Sequence, residues 1–421
     1  MKKHVVGMLM LGVCMGSAGM ARADDGNSVV LYGLVDASVG VVEHSANASP
    51  TFPGTVNPVN KVPVSFRDPV WGMFNGGISP SRWGIRGNEN LGGGVSAFFN
   101  LESGFNLPTG AASNAAQGIA GNGNTIAPPS AINGQLFNRG AFVGLRSNTL
   151  GSIQFGRSTA LSFDAISDYD PLFTAQLFSP LGFSGSYSAG GITEGSRTDN
   201  NIKYRNQIGP VKFGLSYSFG NTAGAFGAGS TFGAMLSYEQ GGFGIVGTYY
   251  SARDILHSGA LTGQAGLTAS QVGAMSAYND HGAMVAAKYT FGPATIKAGY
   301  EQYHLKAQNT IALYNAGALP MSYFGYTYTP KNGSSSNNNL FFIGGDYRIT
   351  PTFDVALGVY DTQQTNGASG NQWQYSILAD YQLSRRTDVY AGYMFSKFNG
   401  SQFNGYMSTN YIAALGMRSK F

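Results

Sequence analysis

The chain has 421 residues, of which only 11% are charged and 13% are aromatic, with 61 Gly, 24 Tyr, 27 Phe and a single Cys. A charged share so far below the ~25% of an ordinary soluble domain argues against a set of water-soluble modules and against an acidic or basic disordered chain. The formal net charge of +4 comes with no Lys/Arg run longer than a pair, which argues against a nucleic-acid-binding surface.

The first residues read as an address label. Lys2 and Lys3 precede an apolar stretch from Val5 to Ala21, and Ala21-Arg22-Ala23 fits the small-x-small pattern of a signal-peptidase site. The expectation is a signal peptide over 1–23, cleaved after Ala23, and a single domain over 24–421. Cleavage removes Lys2, Lys3 and Arg22, lowering the formal net charge from +4 to +1, and takes Cys14 with it. The mature chain then holds together without a disulfide. No later stretch approaches the ~18 uninterrupted apolar residues of a membrane helix.

The dominant period after the signal is two. Leu31, Val35, Ala37 and Val39 share one face, with Asp36 and Ser38 on the other. Val211, Phe213, Leu215, Tyr217 and Phe219 alternate with Lys212, Gly214, Ser216 and Ser218, and Trp373 to Gln382 repeats the pattern. These are strands with one apolar and one polar face, near the ten residues of a tilted membrane-crossing strand. Short connections carry turn chemistry, as in Glu89-Asn90-Leu91-Gly92, Phe291-Gly292-Pro293 and Leu383-Ser384-Arg385-Arg386. Between them lie longer polar loops near 45–77, 107–135, 159–197, 221–229, 253–280, 306–337, 364–370 and 399–409.

The strands predicted in chain order are 29–44, 78–90, 92–106, 136–147, 150–158, 198–207, 210–220, 230–240, 242–252, 281–292, 293–305, 338–350, 352–363, 371–384, 386–398 and 410–421. Sixteen strands with alternating short turns and long loops define an all-β fold, a sixteen-stranded antiparallel transmembrane β-barrel of the outer-membrane type. Aromatics near strand ends, such as Phe213, Tyr217, Phe219 and Tyr289, suit girdles at the membrane surfaces.

If such a barrel is an open channel, it selects by cross-section and field, and charges on lumen-facing positions are the candidate functional residues. Arg82 and Arg86 lie opposite Trp83 and Ile85, Asp36 and Glu102 fall on polar faces, and Asp199, Lys203 and Arg205 oppose Ile202 and Tyr204. The third long loop offers Asp164, Asp168 and Asp170.

Several segments together resemble the Gram-negative porin family of β-proteobacteria. They are VVLYGLVDA (29–37), SRWGIRGNENLGGG (81–94), LESGF (101–105), LFNRGAFVGL (136–145), Gly156-Arg157, RTDVYAGY (386–393) and the terminal Phe421. Asn88-Glu89-Asn90 departs from the family's usual Glu-Asp pair, and Gly140 and Ser158 stand where a glutamine is common. The resemblance implies a homotrimer of barrels in the outer membrane, amid lipid and lipopolysaccharide. It implies a third loop, about 159–197, folded into each pore as a constriction, and Phe421 as the signal read by the barrel-assembly machinery. It also places Arg139 and Arg157 on the basic side of the constriction. By strand phase Arg139 falls with Ala141, Val143 and Leu145, so a bulge or an early strand start is needed to turn it inward.

The expected function is a diffusion channel for small hydrophilic solutes and ions, weakly anion-preferring, with no cofactor and no catalysis. The mature histidines, His44, His257, His281 and His304, sit in no nucleophile motif, and no HExxH, cysteine pair or phosphate loop appears. The alternatives are a plugged barrel acting as adhesin or receptor, and a substrate-specific channel in which Tyr314, Tyr323, Tyr326 and Tyr328 form a sugar-stacking slide.

Overall fold

In a strand, successive side chains point to opposite faces. In hydrocarbon every backbone N–H and C=O needs a partner inside the protein, so strands cross a bilayer only as a closed sheet. The computed structural model of the chain describes residues 26–46, 69–110, 136–181, 196–220, 224, 226–258, 275–307, 321–323, 326–328, 336–365, 370–399 and 407–421. The signal-peptide segment expected over 1–23 lies outside them.

The described strands are β1 (Ser28–Ala46), β2 (Val70–Asn75), β3 (Arg82–Gly92), β4 (Val95–Gly104), β5 (Gly140–Ser147), β6 (Gly151–Thr159), β7 (Arg197–Ile208), β8 (Val211–Ser218), β9 (Thr231–Gln240) and β10 (Phe243–Ser258). They continue with β11 (Met275–Phe291), β12 (Ala294–Ala307), β13 (Met321–Tyr323), β14 (Tyr326–Tyr328), β15 (Ser336–Thr350), β16 (Phe353–Thr365), β17 (Gly370–Gln382), β18 (Thr387–Asn399) and β19 (Met407–Lys420). One helix, α1 (Leu161–Tyr169), follows β6. All the pairings are antiparallel, most of them between strands adjacent in the chain, and β19 returns to pair with β1, which closes the sheet. β2 and β3 both pair with β1, at residues 37–42 and 28–34 respectively, and so form a single stave. The 17-stranded sheet is therefore a sixteen-strand barrel, as the alternation predicts. β13 and β14 make a separate hairpin.

The second stave departs from the expected strand over 78–90. It starts at Val70, inside the segment expected as loop, and leaves the sheet between β2 and β3. The break begins at Gly76, whose φ of 82° suits glycine. Its amides are satisfied by one carboxylate: Asp36 accepts from the backbone N–H of Gly77 and Ile78 (3.2 Å each) and of Ser79 (2.8 Å). The Tyr390 hydroxyl donates to the same carboxylate. β10 and β11 likewise run further than expected, each entering the segment read as loop over 253–280. The hairpin β13–β14 lies inside the expected loop 306–337.

Two faces follow from the pairing. Leu31, Val143, Leu215, Leu236, Ile296, Ile343, Leu357 and Leu415 are all exposed on the outside of the barrel, where only lipid suits such a surface. Exposed Tyr238, Phe243, Tyr289, Phe291, Tyr347 and Tyr381 gather near the short turns, as an interfacial girdle does. Leu357 sits partway along β16, so Leu357→Arg is expected to cost about 2–4 kcal/mol, the midplane price of a lipid-facing cation. Urea unfolding in lipid vesicles measures it, and the same change at Leu383, in the short turn after β17, is expected to cost under about 1 kcal/mol.

The seam joins β1 to the residue that follows β19. Gly33 N–H donates to the Phe421 carbonyl (3.1 Å) and Phe421 N–H to the Gly33 carbonyl (3.0 Å).

Candidate pore constriction

The segment after β6 turns into the barrel and carries its own apolar core. In α1, Leu161, Ala165, Ile166 and Tyr169 are buried, the spacing of one helical stripe. Leu172, Ala175, Leu177, Phe178 and Leu181 follow and are at most 2% exposed. This stretch runs along the inner wall. Leu161 lies at Gly214 of β8, Tyr169 at Gly244 of β10, Pro171 at Gly344 of β15, Leu172 at Gly358 of β16 and Phe178 at Gly392 of β18. A Cβ at Gly358 would meet Leu172 at 2.4 Å, and one at Gly392 would meet the Phe178 ring at 2.6 Å. The wall is thus without side chains where the loop approaches closest. At its far end, Gln176 N–H and Leu177 N–H donate to the carbonyls of Ile78 and Gly77 (3.0 Å each), which ties the loop to the break in the second stave. Gly392→Val is expected to push the 171–181 segment off the wall and alter the unitary conductance. Single-channel recording on the folded variant checks this, and wild-type conductance would contradict the packing described.

A group of guanidinium ions occupies the wall formed by β3 to β7. Arg139 donates from Nε to Glu102 Oε1 at 2.6 Å. Glu102 also accepts from the Tyr32 hydroxyl (2.8 Å). Arg82 lies within electrostatic reach of both Arg139 and Glu102. Arg157 donates to the Asn138 carbonyl (2.7 Å) and to Asp199 Oδ1 (2.5 Å). Arg86 stacks on the Tyr32 ring at 5.0 Å. The phase difficulty of Arg139 recurs at Arg157, which shares the parity of outward Phe155, and each has its own solution. Arg139 lies just ahead of β5, which starts at Gly140, so it is free of that strand's alternation. Arg157 lies at a register shift between Gly156 and Ser158, where Gly156 has φ 128°. The bulge turns it from the Phe155 face to the interior.

The loop carboxylates take three different places. Asp164 pairs with Lys203 (3.1 Å) and with Arg205 on β7, and Lys203 also donates to the Thr159 carbonyl (2.8 Å). Asp168 is half-buried near the end of α1. Asp170, expected to face the channel, is instead fully buried. It accepts from the Tyr360 hydroxyl at 2.7 Å and from Thr174 N–H at 2.5 Å, because the turn that ends α1 folds it under the loop. Burial pushes its carboxyl above the ordinary carboxylate range against the pull of these donors. Asp36 is corrected in the same way: it points inward as its phase requires, but the 76–81 segment covers it completely.

Residues outside the sequence-based set belong to the same interior. Arg197 donates to the Arg139 carbonyl (2.9 Å) and faces Arg139, Arg157 and Arg82 as like charges. Extending the parity of Lys203 and Asp199 back along β7 reaches it. Lys297 donates to the Asp170 carbonyl (3.0 Å). Glu239 binds Lys212 (2.5 Å), Lys288 (3.0 Å) and the Tyr169 hydroxyl (3.2 Å).

A closed barrel with an apolar outer belt, a charged interior and a loop packed against its inner wall defines a channel-type transmembrane barrel. The chain belongs to the Gram-negative porin family, a family of the bacterial outer membrane, whose model matches residues 10–401. It is 32% identical to an outer membrane porin protein of Bordetella pertussis over 231 residues, covering 52% of this chain and 48% of that relative. That match thus spans about half the relative's length. It is 28% identical over 404 residues to outer membrane porin protein 32 of Delftia acidovorans, covering 94% of this chain and 90% of that protein. Among solved structures, an anion-selective porin from Comamonas acidovorans is similar with a TM-score of 0.64 at 21% identity, covering 94% of this chain and all of that one. A trimer form of OmpT from Vibrio cholerae has a TM-score of 0.56 at 14% identity, covering 94% and 100%.

Proposed function

We propose that the chain is a passive diffusion channel for small hydrophilic solutes and ions, weakly anion-preferring, which catalyses no reaction and needs no cofactor. The observation that carries this reading is the wall cluster of Arg82, Arg139, Arg157 and Arg197, faced by the carboxylates Glu102 and Asp199. Fixed positive charge in a narrow low-dielectric passage raises the local anion concentration. Arg86 adds to that field at the wall, and Asp168 opposes it from the loop. The other loop carboxylates act differently: Asp164 braces the loop on Lys203 and Arg205, and Asp170 anchors it from beneath.

The working unit is a homotrimer, a reading supported by the trimer form of the OmpT structure. Residues 1–23 act as a cleaved signal, Phe421 guides recognition by the barrel-assembly machinery, and lipid and lipopolysaccharide surround the belt. Purified protein in a planar bilayer across a KCl gradient tests the function. Ohmic steps in sets of three with a reversal potential of anion-preferring sign are expected. A verified folded barrel without conductance would replace this reading with the plugged receptor or adhesin.

A further inference from the structure

The outward positions of β12 run Ile296, Ala298, Tyr300, Gln302, His304 and Lys306, passing from apolar to polar along the strand. His304 stands directly opposite His281 of β11. Both rings are half-buried, and their centroids lie 4.9 Å apart at an interplanar angle of 44°. The channel interior uses neither, since the inward neighbours Asp280 and Tyr303 are the buried ones.

This separation is compatible with a shared metal ion. A zinc–nitrogen bond of about 2.0–2.1 Å places an imidazole centroid about 3.2 Å from the metal, and ligand angles of about 90–109° then separate two centroids by about 4.5–5.2 Å. A second observation concerns the tautomer. His304 Nδ1 is in hydrogen-bond contact with Asn337 Oδ1, the residue opposite it on β15. An amide oxygen only accepts, so in the neutral ring Nδ1 carries the proton and Nε2 is the nitrogen left to bind a metal. Metal-bound imidazoles are oriented in this way by an outer carbonyl or carboxylate. Imidazole nitrogens suit zinc, copper and nickel and leave calcium and magnesium to oxygen ligands.

We propose that His281 and His304 form a two-imidazole site for a divalent transition-metal ion of the zinc class, on the outer face of the barrel beyond its apolar belt. Solvent completes the coordination, and Asn337 is a positioning residue. The test is calorimetric titration of untagged, detergent-solubilised protein with Zn2+ alone, alongside Cu2+ electron paramagnetic resonance. One saturable ion per chain and a two-nitrogen copper signature are expected. The double variant His281→Ala/His304→Ala should lose at least about tenfold in affinity, and Asn337→Leu should weaken binding while both imidazoles remain. His257→Ala should bind as wild type does. Heat-resistant gel migration shows that each variant is folded. Absence of saturable Zn2+ binding, unchanged binding in the double variant, or loss on changing His257 would each overturn the proposal.

Discussion

Arg139→Gln combined with Arg157→Gln is expected to lower the anion-to-cation permeability ratio at least about threefold. At an effective dielectric of about 40 and a distance of about 8 Å, a unit charge changes the energy of a passing ion by about 1 kcal/mol, or about fivefold in local concentration. Two such charges are removed, and Glu102 and Asp199 lose the guanidinium groups that neutralise them. The shift should grow as salt is lowered, because the Debye length is ~10 Å at 0.1 M. Reversal potentials at two salt concentrations measure it. Arg386→Gln, on the exposed short turn after β17, should leave the ratio alone. An unchanged ratio in the double variant would show that these arginines only brace the wall.

The second large effect falls on Asp170. Asp170→Ala removes the acceptor of the Tyr360 hydroxyl and of Thr174 N–H in a place closed to water. Such a loss costs about 2–4 kcal/mol, and it falls between other polar tethers of the loop, Asp164 on β7 and the 176–177 amides on the 77–78 carbonyls. Unfolding in denaturant should record the cost, and single-channel traces should become noisy as the loop leaves the wall. Tyr360→Phe should do the same more weakly. The pH dependence has a definite sign. Burial raises the Asp170 carboxyl, so the folded state holds its proton more tightly than the unfolded state. The anchoring is therefore strongest below the ordinary carboxylate value and weakens as pH rises through the raised one. Asp170→Asn keeps an acceptor oxygen for Tyr360 and should flatten that dependence; persistence of the full pH effect in this variant would assign it to another group.

The barrel was legible because its rule is local. A period of two across ten residues, repeated between turns rich in Gly and Pro, is written in the strands themselves, and closure then follows from the ban on open edges in lipid. The interior was legible only in part. Arg82, Arg86 and Glu102 follow from phase alone. Arg139 and Arg157 do not, because each depends on a local irregularity, a late strand start and a bulge, that alternation cannot register. The break between β2 and β3 is hidden for a different reason. Asn75-Gly76-Gly77 hints at a turn, but the carboxylate that sustains the break comes from Asp36, about forty residues away. The fate of Asp170 was equally long-range, being decided by Tyr360. Leu161, Ile166, Leu172 and Phe178 are the residues that mark that loop in the sequence as a packed segment and not only a charged one.

The inward loop also bears on the order in which the molecule can be built. Its apolar side is satisfied jointly by β8, β10, β15, β16 and β18 and by the 77–78 segment near the start of the chain. A sheet that stops short of β18 lacks part of this surface. The loop can finish docking only after β18 has been added, so its burial reports a sheet that has come most of the way round. Until then Ile166, Leu172 and Phe178 are available to whatever holds the unfinished chain, and a barrel that stalls short of closure is marked by grease that the finished one hides.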